Sequence, residues 1–143
     1  MQVPPLNDND LKELLSQPLV AKVATVSKSG DIRISPIWFG MDGDDLLINT
    51  FEKSALVRNL RVNPKCSLIV DTNDFPYVGV HFWGEAKVEG PNDDVEGMAK
   101  LFASYRGGVD TAREYSKGLI GWGTRVYVRF TPKRKTTWDF RQG

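Results

Sequence analysis

Hydrophobic and polar residues alternate with a period of two in several segments of the chain, and short stretches of helical spacing lie between them. Residues 20–27 are β-branched and alternating, Ser29-Gly30 turns the chain, and residues 32–41 return. Asp42-Gly43 marks the next turn, ahead of residues 46–50. These runs predict an antiparallel meander with tight hairpins. Residues 66–71 predict a short strand. Beyond it, Val78, Val80, Phe82, Ala86 and Val88 alternate with His81, Trp83, Glu85, Lys87 and Glu89, which predicts a long strand with one apolar and one mostly polar face. In the last strand Val126, Val128 and Phe130 alternate with Arg125, Tyr127 and Arg129, and the strand continues past Pro132 toward Trp138.

Helical spacing appears in four places. Asn7 or Asp8 caps a helix with a Leu11, Leu14, Leu15 stripe, ended by Pro18. Leu56 and Leu60 lie four apart in residues 54–61, which Asn63-Pro64 stops. Asp93-x-x-Glu96 reads as a capping box before Met98, Leu101, Phe102 and Tyr105, and Gly107-Gly108 ends that helix. Thr111-x-x-Glu114 opens a second short helix with Ala112, Tyr115 and Leu119 inward. Six strands with a few helices predict a mainly β chain, a closed or partly split antiparallel barrel, in one domain spanning 1–143.

Composition narrows the function classes. The chain is 41% hydrophobic and 26% charged, with mean hydropathy −0.33, which fits a soluble globular protein. A net charge of +1 leaves no large basic field for nucleic acid or an anionic membrane, so neither is expected as a partner. Cys66 is the only cysteine, so no internal disulfide or Cys-rich zinc site is expected. His81 is the only histidine and sits mid-strand with no nucleophile placed beside it, so no metal site and no catalytic side chain are assigned. The start, MQVPPLNDNDLKELL, lacks the features of a signal peptide, and no stretch approaches bilayer-spanning length. A cytoplasmic location is expected.

Three segments carry candidate chemistry. From Ile48 to Arg61 a strand end passes into a helix start. A helix N-terminus presents free N–H groups and partial positive charge, which suits a phosphate. Thr50 and Ser54 add hydroxyls, Lys53 a point charge, and Arg58 a planar fork. The same residues also fit an ordinary Ser-capped helix with solvated charges. In Ile34-Ser-Pro-Ile-Trp-Phe-Gly40, Trp38 and Phe39 offer walls for a flat aromatic ligand, and Pro36 suits an edge or a ligand opening. Packing into the barrel core is the competing fate of these aromatics. Lys133, Arg134 and Lys135 are expected to form a solvated turn.

In order and spacing, Ala24-Thr-Val-Ser-Lys-Ser-Gly30, Pro36-Ile-Trp-Phe39, Asp42-Gly43, Ile48-Asn-Thr50, Val57-Arg-Asn-Leu-Arg61, Asn63-Pro64 and Thr137-Trp-Asp-Phe140 resemble the pyridoxamine 5'-phosphate oxidase-like split-barrel flavoproteins, over residues 14–140. Pro36-Ile-Trp-Phe39 and Arg58-Asn-Leu60 most resemble the small proteins that use the deazaflavin coenzyme F-420. The resemblance implies a six-stranded antiparallel split β-barrel (Greek key) with short flanking α-helices, forming a homodimer with cofactor sites between subunits. It implies F-420 or FMN as cofactor, and an oxidoreductase that moves a hydride to or from a small planar or conjugated substrate. By position, Ser35, Pro36, Ile37 and Trp38 would border the ring, and Asn49 and Thr50 would approach the ring or ribityl chain. Lys53, Ser54 and Arg58 would hold the phosphate, and Trp138 would brace the site or come from the second subunit. Trp122, Trp138 and Phe140 are expected at the subunit interface. Ala55 and Leu56 depart from the family, which commonly carries Arg or Lys there. The rival is a non-catalytic flavin- or haem-binding module, with His81 as the only imidazole for haem iron.

Overall fold

The computed structural model describes residues 3–142. A first helix, α1 (Asp8–Ser16), precedes β1 (Ala21–Val26), β2 (Ile32–Ile37), β3 (Gly40–Asp42) and β4 (Asp45–Phe51). Then come α2 (Ala55–Val62), β5 (Lys65–Asp71) and β6 (Val78–Glu89), followed by α3 (Val95–Phe102), α4 (Val109–Trp122) and β7 (Arg125–Asp139). The strands form one antiparallel sheet in the order β2-β1-β5-β6-β7-β4-β3.

The two edge strands of that sheet, β2 and β3, are joined only by Trp38-Phe39. Two residues span at most about 10 Å between flanking Cα atoms, so the sheet must curl until its edges approach. The result is a split barrel: covalently linked at the seam but without a hydrogen-bonded ladder there. The single strand expected over residues 32–41 is therefore two, and seven strands replace the six expected. The break has a local cause. Phe39 donates its backbone N–H to the Tyr105 hydroxyl at 3.2 Å, and its carbonyl accepts from the same hydroxyl at 3.1 Å. Its ring is buried in the barrel core, while Trp38 turns to a second core.

The barrel core gathers the inward positions of the strands with Leu14 of α1 and Leu56, Val57 and Leu60 of α2. The second core lies between α3 and α4, around Met98, Ala99, Phe102 and Ala112, with Trp38 packed against it. Leu56 is one of the two departures noted above, and it is 3% exposed in the barrel core. A cation at that position would have to leave the core or be desolvated there.

Other boundaries move by small amounts for identifiable reasons. Asn7, rather than Asp8, caps α1, accepting from the Asp10 amide at 2.8 Å. Asp94, not Asp93, caps α3, and Glu96 pairs instead with Arg113 of α4 at 2.6 Å. Helix α4 starts after Gly108 and runs 14 residues, so Thr111 lies within it and Glu114 pairs with Lys117. The expected turn at Lys133 to Lys135 is strand: β7 runs 15 residues through Pro132. A bulge between Trp83 and Gly84 absorbs the extra residue, and Arg134 lies over the Trp83 ring at 4.6 Å. Gly84 sits so tightly under the Thr131 carbonyl that a Cβ would collide with it. No helix among the described residues is long and apolar enough to cross a membrane.

Candidate functional site

A cleft of about 420 Å³ opens between the β2 and β4 ends and the α3–α4 pair. Pro36, Ile37 and Trp38 line one side, and Asn49 and Thr50 line another. Val20, Phe51, Phe102, Tyr115, Leu119 and Arg125 complete it. Trp38 is held firmly. It stacks on Tyr105 at 4.7 Å between centroids, meets Phe102 edge-on at 5.7 Å and lies 5.8 Å from Tyr115. Tyr105 is itself fixed, because its hydroxyl also donates to the Leu19 carbonyl at 2.7 Å. Burial pushes the Tyr105 phenol above its ordinary pKa, against a smaller opposing effect of the Phe39 hydrogen bond.

The floor of the cleft is polar. Asn49 is 2% exposed and Arg125 is 4% exposed. They are diagonal neighbours on the β4–β7 ladder, where Asn49 pairs with Tyr127 and Arg125 with Phe51, on the outer face of the sheet opposite the barrel core. Arg125 Nε donates to Asn49 Oδ1 at 2.8 Å, and Nη2 donates to the Asn49 carbonyl at 3.1 Å. The guanidinium lies over the Phe51 ring at 4.2 Å. Burial lowers the Arg125 pKa, opposed by the nearby Tyr115. A guanidinium can only donate, so the Asn49 amide oxygen must face it and Nδ2 must point away. That Nδ2 is buried and without a hydrogen-bond partner among the described residues.

Five of the ten residues expected from the sequence, Pro36, Ile37, Trp38, Asn49 and Thr50, thus line one cleft. The other five do not. Ser35 sits opposite Val23 on the inward face of β2. Lys53, Ser54 and Arg58 follow the end of β4, at the start of α2. Ser54 caps that helix, its hydroxyl accepting from the Val57 amide at 3.2 Å. Arg61 pairs with Glu52 at 3.6 Å, whereas Lys53 and Arg58 are exposed with no carboxylate in salt-bridge reach among the described residues. Trp138 packs on Gly79, where a Cβ would strike its indole. Trp122 is 86% exposed, and Phe140 is exposed as well.

Arg125, Phe51, Phe102, Tyr105 and Tyr115 were not expected in the site. Arg125 reads in sequence as one more polar position of an alternating strand. Only the β4–β7 register brings it against Asn49, and no local signal carries that information.

A larger groove, about 1060 Å³, lies among α1, β3, α3 and the bulged part of β7. Lys12, Lys100, Lys133, Arg134 and Lys135 line it, and none of the expected site residues does. Size alone does not mark a site. The smaller cleft has the convergent polar groups on an aromatic wall that ligand sites show. His81 lies outside both cavities, stacked on Trp83 at 3.7 Å on the outer face of the sheet. Burial and the Arg134 charge lower its pKa. The Cys66 thiol is pushed up to about 12 by burial and by Glu85.

Comparison with solved structures places this barrel among known ones. A conserved hypothetical protein from Mycobacterium tuberculosis aligns over 98% of this chain and 88% of its own, with TM-score 0.82 and 20% identity. An F-420 reductase aligns over 87% of this chain and 94% of its own, with TM-score 0.64 and 26% identity. The haem storage protein HutZ from Vibrio cholerae aligns over 89% of this chain and 90% of its own, with TM-score 0.68 and 19% identity. A family model described as pyridoxamine 5'-phosphate oxidase matches residues 8–139, from the first residue of α1 to the last of β7. With that match covering nearly the whole chain, on a split barrel of this topology, the chain belongs to the pyridoxamine 5'-phosphate oxidase family.

Proposed function

We propose that the protein is a flavin- or deazaflavin-dependent oxidoreductase that works as a homodimer, with FMN or coenzyme F-420 as cofactor and a small planar or conjugated molecule as substrate. The observation that carries this reading is the aromatic cleft with the orphaned Asn49 Nδ2 in its floor. A buried amide donor without a partner is costly unless a ligand acceptor meets it. Flavin-type rings are flat and present carbonyl acceptors at one edge, so the residues present fit the group. When bound, the ring supplies the hydride chemistry. The chain's own residues position and shield it. Trp38, held by Tyr105, walls the ring, and Asn49 Nδ2 donates to it.

Thr50 and Phe51 of the cleft are followed in the chain by the turn before α2. Lys53, Arg58 and the first amides of α2 hold the phosphate there, a seat whose charges are free of protein carboxylates among the described residues. Ser54 contributes by fixing the helix start. The F-420 reductase at 26% identity supports the deazaflavin choice. Lys133 to Lys135 line the other groove.

The dimer reading rests on the outer face of the β2–β1–β5–β6 region. Ile32 is 75% exposed and Ile34 66%, beside exposed Pro36 and half-buried Ala24, Val26 and Ile69 on the same face. Pro36 belongs both to this face and to the cleft. A second copy seated on the face therefore borders the cleft at Pro36.

For the haem-binding alternative the only imidazole is that of His81, which lies outside the cleft. The absorption spectrum of purified protein, followed by titration with FMN and with F-420, tests the reading. We expect a flavin or deazaflavin spectrum, or saturable binding of one of the two. A haem spectrum with binding of neither cofactor overturns it.

A further inference from the structure

Arg125 is a buried cation without a counter-ion. It is 4% exposed, and no carboxylate lies within 4.0 Å of it among the described residues. Its two hydrogen bonds both go to neutral acceptors of Asn49. Stacking on Phe51 offsets only part of the loss of water around the charge. Next to it Asn49 Nδ2 points away from the guanidinium without an acceptor. Two unsatisfied demands of the same sign, a positive charge and an N–H donor, thus meet in the floor of one cleft.

We propose that Asn49 and Arg125 form a receptor for negative charge, and that the cleft selects flat aromatic ligands carrying an anionic acceptor group at the edge that enters first. The inference rests on the cofactor reading in taking the cleft as a ligand site, but it does not depend on which cofactor binds. It names the ligand's charge and shape. Trp38, Phe51, Phe102 and Tyr115 supply the flat apolar walls, while Arg125 and Asn49 supply the charge and the donor. Asn49 is the positioning partner as well as a donor, because its oxygen orients the guanidinium.

A planar aromatic carboxylate, naphthoate, and its uncharged amide, naphthamide, provide the probe pair. Calorimetric titration of the full chain is expected to show naphthoate binding about tenfold or more tighter than naphthamide, the range of a charge-assisted hydrogen bond. Arg125→Met keeps an unbranched, though shorter, side chain and removes the charge, and it is expected to abolish the preference while naphthamide still binds. Asn49→Asp is the second variant. It supplies the missing counter-ion inside the protein at nearly unchanged shape. It is expected to raise the melting temperature of the ligand-free protein and to abolish naphthoate binding. Equal affinities of wild type for the two probes would overturn the inference. So would a naphthoate preference that survives both substitutions, or a ligand-free Asn49→Asp protein that melts no higher than wild type. Titration of wild type with FMN and F-420 is read separately. Binding of neither, with the naphthoate preference intact, sinks the cofactor reading and leaves the charge receptor standing.

Discussion

At the scale of single residues, the site depends on side chains that touch no ligand. The Tyr105 hydroxyl accepts from the Phe39 N–H and shares its one proton between the carbonyls of Leu19 and Phe39, and its ring stacks on Trp38. Removing that oxygen leaves the Phe39 N–H without its acceptor where β2 gives way to β3. Tyr105→Phe is therefore expected to cost about 1–3 kcal/mol of stability and to loosen the Trp38 wall. A fall in melting temperature together with weaker cofactor binding checks this; unchanged melting would show that the hydroxyl is dispensable. Asp139 gives a second residue-scale expectation. It is fully buried, and hydrogen bonds from Arg141, chiefly, and Gln142 hold its carboxyl down to about 2, against the opposing effect of burial. A carboxylate depressed from 3.8 stabilises the fold above that ordinary value, and the contribution is lost as pH falls from 3.8 toward about 2. With Arg141 partly exposed and screened, the contribution is about 1–2 kcal/mol. Unfolding midpoints measured from about pH 6 down to pH 2 should fall less steeply for Asp139→Asn than for wild type. Parallel curves would remove Asp139 from the acid limb.

At the scale of elements, what was legible in the sequence is what short-range physics decides. The Ser54 cap, the α1 stripe and the alternation in β6 are each set within a few residues, and each stands close to where the pattern puts it. The errors lie where a distant partner decides. Tyr105, 66 residues away from Phe39, ends β2 early. Arg113 draws Glu96 away from its capping box. Trp83 and the Gly84 bulge turn an expected loop at Lys133 to Lys135 into strand. The candidate site divides in the same way. Its five cleft residues come from two short segments that the sequence exposes, while Arg125, 76 residues from Asn49, enters only through sheet register. The start of α2 supports a prediction of its own. Ser54→Ala removes the bond to the Val57 amide and is expected to cost about 1 kcal/mol, with a modest loss of cofactor affinity as the helix start frays. Arg58→Ala is expected to leave stability unchanged and to weaken cofactor binding by about tenfold or more, the range of a charge-assisted bond. Lys28→Ala, at an exposed hairpin tip, is the control. Equal cofactor affinities for Arg58→Ala and Lys28→Ala would remove Arg58 from the phosphate seat.

At the scale of the whole molecule, the barrel is closed by chain connectivity rather than by hydrogen bonds, and its outer face is left partly apolar. Scattered surface aliphatics need no explanation, but Ile32 and Ile34 are neighbours on one strand, flanked by Pro36 and by Ala24, Val26 and Ile69 across the ladder. A stable interface of ordinary size buries about 800 Å² per partner. That is roughly a tenth of this protomer's 8432 Å². Because Pro36 also lines the cleft, the proposed dimer and the proposed cofactor site are coupled. The double substitution Ile32→Asp with Ile34→Asp tests both at once. Both side chains are exposed in the protomer, so the barrel should fold as before, with an unchanged circular dichroism spectrum. Two buried carboxylates per subunit would not be tolerated at an apolar contact, since desolvating an unpaired charge costs several kcal/mol. Sedimentation is therefore expected to show a dimer for wild type and a monomer for the double variant at micromolar concentration. If a second subunit completes the cleft, the monomer should also lose cofactor affinity by more than tenfold. A wild type that sediments as a monomer would reject the dimer, and a monomeric variant that binds cofactor as tightly as wild type would show that one chain holds the whole site.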